Sequence, residues 1–232
     1  MSIEQHTARI LKRLSDGAVL RGPMPAHRLV DACCEEVSAV GVSLRWSSAT
    51  AAPLTIAATP GVGEAMEQVS FVLGEGPQVT CAVTNRVTLR PYLGDTTAEW
   101  AGLTPEAMSM GVRAVFAFPL RLGAISVGVL TVWRDTAGPL PEEQLGAALA
   151  YAAAGTALLL QPPVDGGDGL PAVLEDPFSL QAEVHQATGM LAAQLNVDLA
   201  AALSLLRAHA YSRSEPIAEV ARAVIARTLR IT

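Results

Sequence analysis

The chain has 232 residues, half of them apolar, enough for one domain of about 150 residues and a second small one. Such a composition excludes disorder over most of the length. Its 16 Lys and Arg against 22 Asp and Glu leave a net charge of −6, so no whole-chain basic field points to nucleic acid.

The amino terminus lacks a basic segment followed by an apolar run, which argues against a secretory signal. An amphipathic helix is expected over residues 3–14, with Ile10, Leu11 and Leu14 as its apolar side, and RGPMP breaks it. A second helix is expected over 26–40, where Leu29, Val30, Cys33, Val37 and Val40 form a buried stripe. Strand patterns follow at 42–47 and 54–58. A helical pattern at 63–73 leads into GEGP at 74–77, and 78–84 reads as a short helix. Strand signals return at 87–90, 113–120 and 125–134, the last two joined by a hairpin-like turn at Gly123. Pro141 opens a long Ala-rich helix reaching about residue 160. Its LGAALAYAAAGTALLL stretch is 16 residues, short of a membrane span. A cytoplasmic protein with no membrane partner is the expectation.

This order implies one antiparallel sheet with helices packed against it, an α+β domain. Residues 161–177, QPPVDGGDGLPAVLEDP, are rich in proline and glycine and read as a linker. Beyond them, residues 178–232 read as three short amphipathic helices. Leu180, Val184, Ala187, Leu191 and Leu195 recur at helical spacing in the first. Leu199, Leu203, Leu206 and Ala210 do so in the second, and Ile217, Val220, Ala221, Val224 and Leu229 in the third. Asp198 is placed to cap the second, and Ser214 with Pro216 to start the third. A unit this small buries little surface, so it calls for a partner copy or a neighbouring helix. Residues 176–232 are neutral, with 5 Arg and 5 Asp or Glu, whereas residues 1–175 hold 11 Lys or Arg and 17 Asp or Glu.

In these three segments the pattern becomes a resemblance. VHQATGML, then AALSLLRAHAY after Asp198, then IAEVARAVI are similar to the ANTAR family of RNA-binding antiterminator domains. Gln186, Ala187, Gly189, Met190 and Leu191 match that family's QAKG-like segment. Ala202, Leu206 and Arg207 match its AxxxLR segment, and Ile217, Val220 and Ala221 its LxxVA segment. Two positions depart: Thr188 stands where the family usually has lysine, and His185 where it often has an acid. The lost cation removes a phosphate contact. Upstream, GEGP, the VFAFPLRLGAISVGVLTVW hairpin and the closing helix together resemble a GAF domain over roughly residues 20–160. The expected division is therefore a GAF-like sensor at 1–160, a linker at 161–177 and an ANTAR three-helix domain at 178–232.

The resemblance implies a signal-responsive antitermination regulator that binds hairpin loops in nascent RNA, with His185, Gln186, Thr188, Gly189, Arg207, Arg213 and Arg222 as the contact set. Arg227 and Arg230 are further phosphate donors. A homodimer is implied, with the 141–160 helix and the first ANTAR-like helix as its surfaces. A small-molecule ligand in the GAF-like pocket is also implied, though the ligand-binding residues are unknown. The other candidates have plainer readings. Gly74 and Gly76 suit a turn into the Pro77 helix. Trp46, Trp100 and Trp133 suit a core. Glu142 and Glu143 suit the start of a helix.

The three cysteines, Cys33, Cys34 and Cys81, show no CxxC spacing, which argues against a disulfide framework or zinc site. They suit buried apolar packing. His6, His27, His185 and His209 show no metal-ligand spacing, so neither a metal nor a cofactor is expected. The chain is not expected to be an enzyme. Two other readings stand beside the RNA-binding one: a ligand-responsive protein-interaction module without RNA binding, and a thiol-based GAF reductase.

Overall fold

The computed structural model describes residues 3–16, 25–47, 53–96, 98–123, 125–160, 179–213 and 215–231. The expected linker and Ser214 lie outside the described residues. Helices α1 (Ile3–Asp16) and α2 (Pro25–Glu36) come first, then strands β1 (Gly41–Trp46) and β2 (Leu54–Ala58). Helices α3 (Val62–Leu73) and α4 (Pro77–Thr84) precede β3 (Thr88–Arg90) and α5 (Leu103–Ser109). The hairpin β4 (Ala114–Leu122) and β5 (Ile125–Arg134) leads to α6 (Glu142–Leu159). The carboxyl-terminal trio is α7 (Ser179–Leu195), α8 (Leu199–Arg213) and α9 (Ile217–Ile225).

The five strands form one antiparallel sheet in the order β2-β1-β5-β4-β3. Strand alternation gives the sheet two different faces. Val42, Leu44, Phe116, Phe118, Leu120, Leu130 and Val132 turn toward α1, α2 and α6 and form the main core with them. Ser43, Arg45, Val115, Thr131 and Trp133 turn the other way, under α3, α4 and α5. A bulge between Leu44 and Arg45 in the β1–β2 ladder falls at the most polar point of that second face.

Helix α6 lies close on the sheet because its inner positions are small. A side chain added at Gly155 would come within 3.1 Å of Leu44 Cδ1. Ala147, Ala148, Ala150, Ala152 and Ala154 are all buried among α1, α2 and the sheet. The dimer surface expected on this helix is therefore covered within the chain. Small residues here serve intramolecular packing.

In the trio, Val184, Ala187, Leu191, Ala202, Leu203, Leu206, Val220, Ala221 and Val224 form a second apolar cluster. Asn196, with φ 52°, closes α7 in the left-handed region. Asp198 Oδ1 accepts the Ala201 N–H at 2.7 Å and so caps α8 as expected. One member of this cluster comes from outside the trio: Phe71 of α3, 3% exposed. The small unit thus obtains the neighbouring helix that its size calls for.

Candidate nucleic-acid interface

Around Phe71 the sheet domain meets the trio. The Phe71 ring and the His185 ring stand edge to face, 5.6 Å apart between centroids. From α8, the Arg207 guanidinium lies over the Phe71 ring, 5.3 Å from its centroid. Arg207 also approaches the GEGP loop, where a Cβ at Gly74 would come within 3.0 Å of its Nη1. Gly74 has φ 71° and caps α3, its N–H donating to Ser70 O. Gly76, at φ 128°, leads into Pro77 at the start of α4. Glu75 Oε1 accepts the N–H groups of Gly102 and Leu103, both at 2.7 Å, tying the loop to α5. The loop is a turn, and it also forms part of the docking surface.

Behind Phe71, one helical turn earlier, Glu67 is 2% exposed and saturated with donors. It accepts from Ser43 Oγ (2.7 Å), Arg45 Nε (3.0 Å), Thr55 Oγ1 (3.0 Å) and Gln78 Nε2 (3.2 Å). Arg45, 3% exposed, keeps one buried nitrogen, Nη2, without a hydrogen-bond partner. His185 Nε2 and Arg207 Nε are buried and unpartnered as well. Burial, then Arg45, then Arg207 hold the His185 imidazole below its usual value of 6.5. Burial and then Arg45 lower Arg207 to about 10, so it stays charged at neutral pH.

The other sequence-predicted contacts are scattered differently. Gln186 is exposed on α7. Thr188 is 0% exposed, and its hydroxyl donates to Val184 O at 2.7 Å. Position 188 thus lies inside the trio, and its hydroxyl is spent within its own helix; this corrects the expectation that Thr188 contacts RNA. Gly189 is half-buried, yet a Cβ there would meet nothing within 4 Å. Arg213 is exposed in the last turn of α8. Arg222 Nε donates to Glu183 Oε2 at 3.1 Å in an exposed pair of the kind worth little. Arg227 and Arg230 line a groove of about 400 Å³ with Met190, Gln194 and Val224.

Sequence reasoning missed three residues here. Tyr211, 85% exposed, stands one turn beyond Arg207 on α8. Both line a cleft of about 740 Å³ between the trio and the GEGP loop, with Glu75 and Glu215 also on its wall. Phe71 and Arg45 were the others. The signal for Phe71 was an aromatic side chain at the end of a helix beside a glycine loop. For Arg45, no signal distinguished an inward charge from an outward one.

A model of the ANTAR domain matches residues 174–225. The carboxyl-terminal trio is an ANTAR domain. The sheet domain is similar to solved GAF domains. One, from an Acinetobacter phosphoenolpyruvate-protein phosphotransferase, is 14% identical, covers 68% of this chain and 93% of that one, and has a TM-score of 0.49. Another, from the Coxiella burnetii phosphoenolpyruvate-protein phosphotransferase, is 15% identical, covers 66% and 92%, and has a TM-score of 0.46. A domain of a sensor histidine kinase protein from Sinorhizobium meliloti is 19% identical, covers 57% and 85%, and has a TM-score of 0.45. No match is found among curated proteins. Among the described residues, no single helix is long and apolar enough to cross a membrane, and no three His, Cys, Asp or Glu gather as a metal site.

Proposed function

We propose that the chain is an antitermination regulator whose ANTAR domain binds hairpin loops in nascent RNA, and whose GAF-like domain controls access to that surface. On this reading the sensor spans 1–160, the linker 161–177 and the ANTAR domain 178–232. The ANTAR family is one of RNA-binding antitermination regulators, and the observation that carries the control is the Phe71 contact. His185 and Arg207, both in the RNA contact set, lie against the sheet domain. Docking and full RNA engagement therefore exclude each other. Any signal that loosens the dock raises the competent fraction, and the apparent RNA affinity rises by the same factor.

The residues left open suit loop recognition. Arg213 and Arg222 supply charge for phosphates, and Gln186 offers an amide to base edges. Tyr211 presents a ring on which an unstacked base can lie. The open space at Gly189 lets an external backbone approach α7. A homodimer holding two loops gains avidity from joining two weak sites.

Gel shift of the full chain against a tandem-hairpin transcript, through a salt series, tests this reading. Salt-sensitive binding that disappears when the loops are replaced supports it. No binding at low salt by a folded protein contradicts it. That outcome would favour a protein-interaction module without RNA, a reading that the near-neutral trio and the Arg222–Glu183 pair support. The thiol-reductase reading has less behind it. Burial raises Cys33 and Cys34, and pushes Cys81 up to about 12, so these thiols stay protonated and weakly nucleophilic.

A further inference from the structure

The junction between the two domains contains more positive charge, in buried Arg45 and half-buried Arg207, than its ion pairs neutralise. Glu67 is committed to Arg45, and its remaining capacity is taken by Ser43, Thr55 and Gln78. Arg207 makes no ion pair among the described residues. Glu75 and Glu215 share its outer cleft, but neither is within ion-pair reach, and Glu75 Oε1 is bound to the α5 amides. What acts on Arg207 is burial and Arg45, with no carboxylate among the causes. One half-buried arginine is thus left over at the junction.

Three side chains with unsatisfied nitrogens meet the same stretch of α3. Glu67 and Phe71 stand one turn apart on α3. Arg45 is bound to the first at 3.0 Å, and His185 and Arg207 pack on the second at 5.6 and 5.3 Å. Each of these three side chains keeps a buried nitrogen without a partner: Arg45 Nη2, His185 Nε2 and Arg207 Nε. Orphaned buried polar groups are rare in folded proteins, and a bound ion or water commonly satisfies them. Water satisfies hydrogen bonds but leaves the charge in place. A small anion satisfies both.

We propose that Arg45 of β1, His185 of α7 and Arg207 of α8 form a binding site for a small oxyanion, seated beside Phe71 where the sheet domain meets the ANTAR domain. Its ligands come from both domains, so occupancy stabilises the docked arrangement by binding linkage. The oxyanion acts as a clamp, holding His185 and Arg207 away from other partners. Carboxylate, nitrate and phosphate share the required chemistry: planar or tetrahedral oxygens that accept from guanidinium and imidazole. Chloride lacks that geometry. The site goes beyond the RNA reading and does not depend on it.

The test uses the full chain and no RNA. Thermal unfolding and hydrogen exchange are measured in sodium phosphate, nitrate and acetate, each against sodium chloride at matched ionic strength. At least one oxyanion is expected to raise the midpoint above chloride and to slow exchange over residues 66–74 and 203–211. Arg207→Gln and His185→Gln should each weaken that oxyanion's binding by about tenfold, the loss of one charge-assisted hydrogen bond. Both positions lie outside the trio's apolar cluster, and circular dichroism checks that each variant folds. No oxyanion effect beyond chloride in the wild-type chain overturns the proposal. So does equal binding by the wild type and a folded variant.

Discussion

Phe71 belongs to the sheet domain by sequence and to the ANTAR domain's core by packing. Truncating it to alanine removes the ring that His185 and Arg207 share, and large-to-small changes at buried aromatic sites cost about 3–5 kcal/mol. Part of that cost falls on docking. Phe71→Ala is therefore expected to bind a tandem-hairpin transcript about tenfold more tightly than the wild type in the full chain, measured by filter binding. Unchanged affinity would separate the contact from any control of RNA. Gly189 offers a second test. No described residue crowds it, so Gly189→Ala should stabilise α7 by about 0.5–1 kcal/mol in denaturant unfolding. The same change should weaken RNA binding, because the added methyl occupies the approach to the helix. Stabilisation without any loss of binding would place the RNA elsewhere.

His185 adds a pH dependence to the dock. Burial, Arg45 and Arg207 lower its pKa in the docked form, while undocking returns it toward 6.5. As pH falls through that value, the undocked form takes up a proton that the docked form refuses. Docking in chloride buffer should thus hold above about pH 7 and weaken progressively below 6.5. The yield of a crosslink between the α3 and α8 surfaces reads this out. His185→Gln should flatten the profile.

At the scale of elements, much of the architecture was legible because periodicity and turn chemistry agreed. The strands at 54–58 and 125–134 stand at their expected limits, and Asp198 caps α8. Replacing Asp198 with alanine should cost about 1 kcal/mol in thermal or denaturant unfolding, with the helix otherwise intact. Helix α5 was not legible. Its seven residues, LTPEAMS, carry a proline near the start and too few apolar positions to show a period. Its existence depends on packing under Trp100 and on Glu75 holding its first amides. The second face of β1 was opaque for a related reason. Ser43 and Arg45 alternate with Val42 and Leu44 just as solvent-facing residues do, and only the Glu67 network makes them internal. The same limit applied to position 188. Family likeness marked it as a contact, while the helical turn points it inward.

At the scale of the molecule, the chain couples a sheet domain whose second face is polar to an ANTAR domain that lies against it. The ANTAR core is completed by one residue of its neighbour, so the docked form is favoured without any ligand from outside. On the proposed function, release is brought about by a signal that competes with Phe71 or changes the charge around Arg45. That is why the GEGP loop matters beyond its turn: it carries Gly74 against Arg207, and Glu75 fixes it to α5. A shift of α5 would be felt at α8.

Hydrogen exchange of the full chain with and without a tandem-hairpin transcript tests the control of RNA access most directly. Bound RNA should raise exchange across residues 66–74 as α8 leaves Phe71, and lower it across the exposed faces of α7 and α8. Tight, loop-dependent binding with undiminished protection at 66–74 would contradict the account.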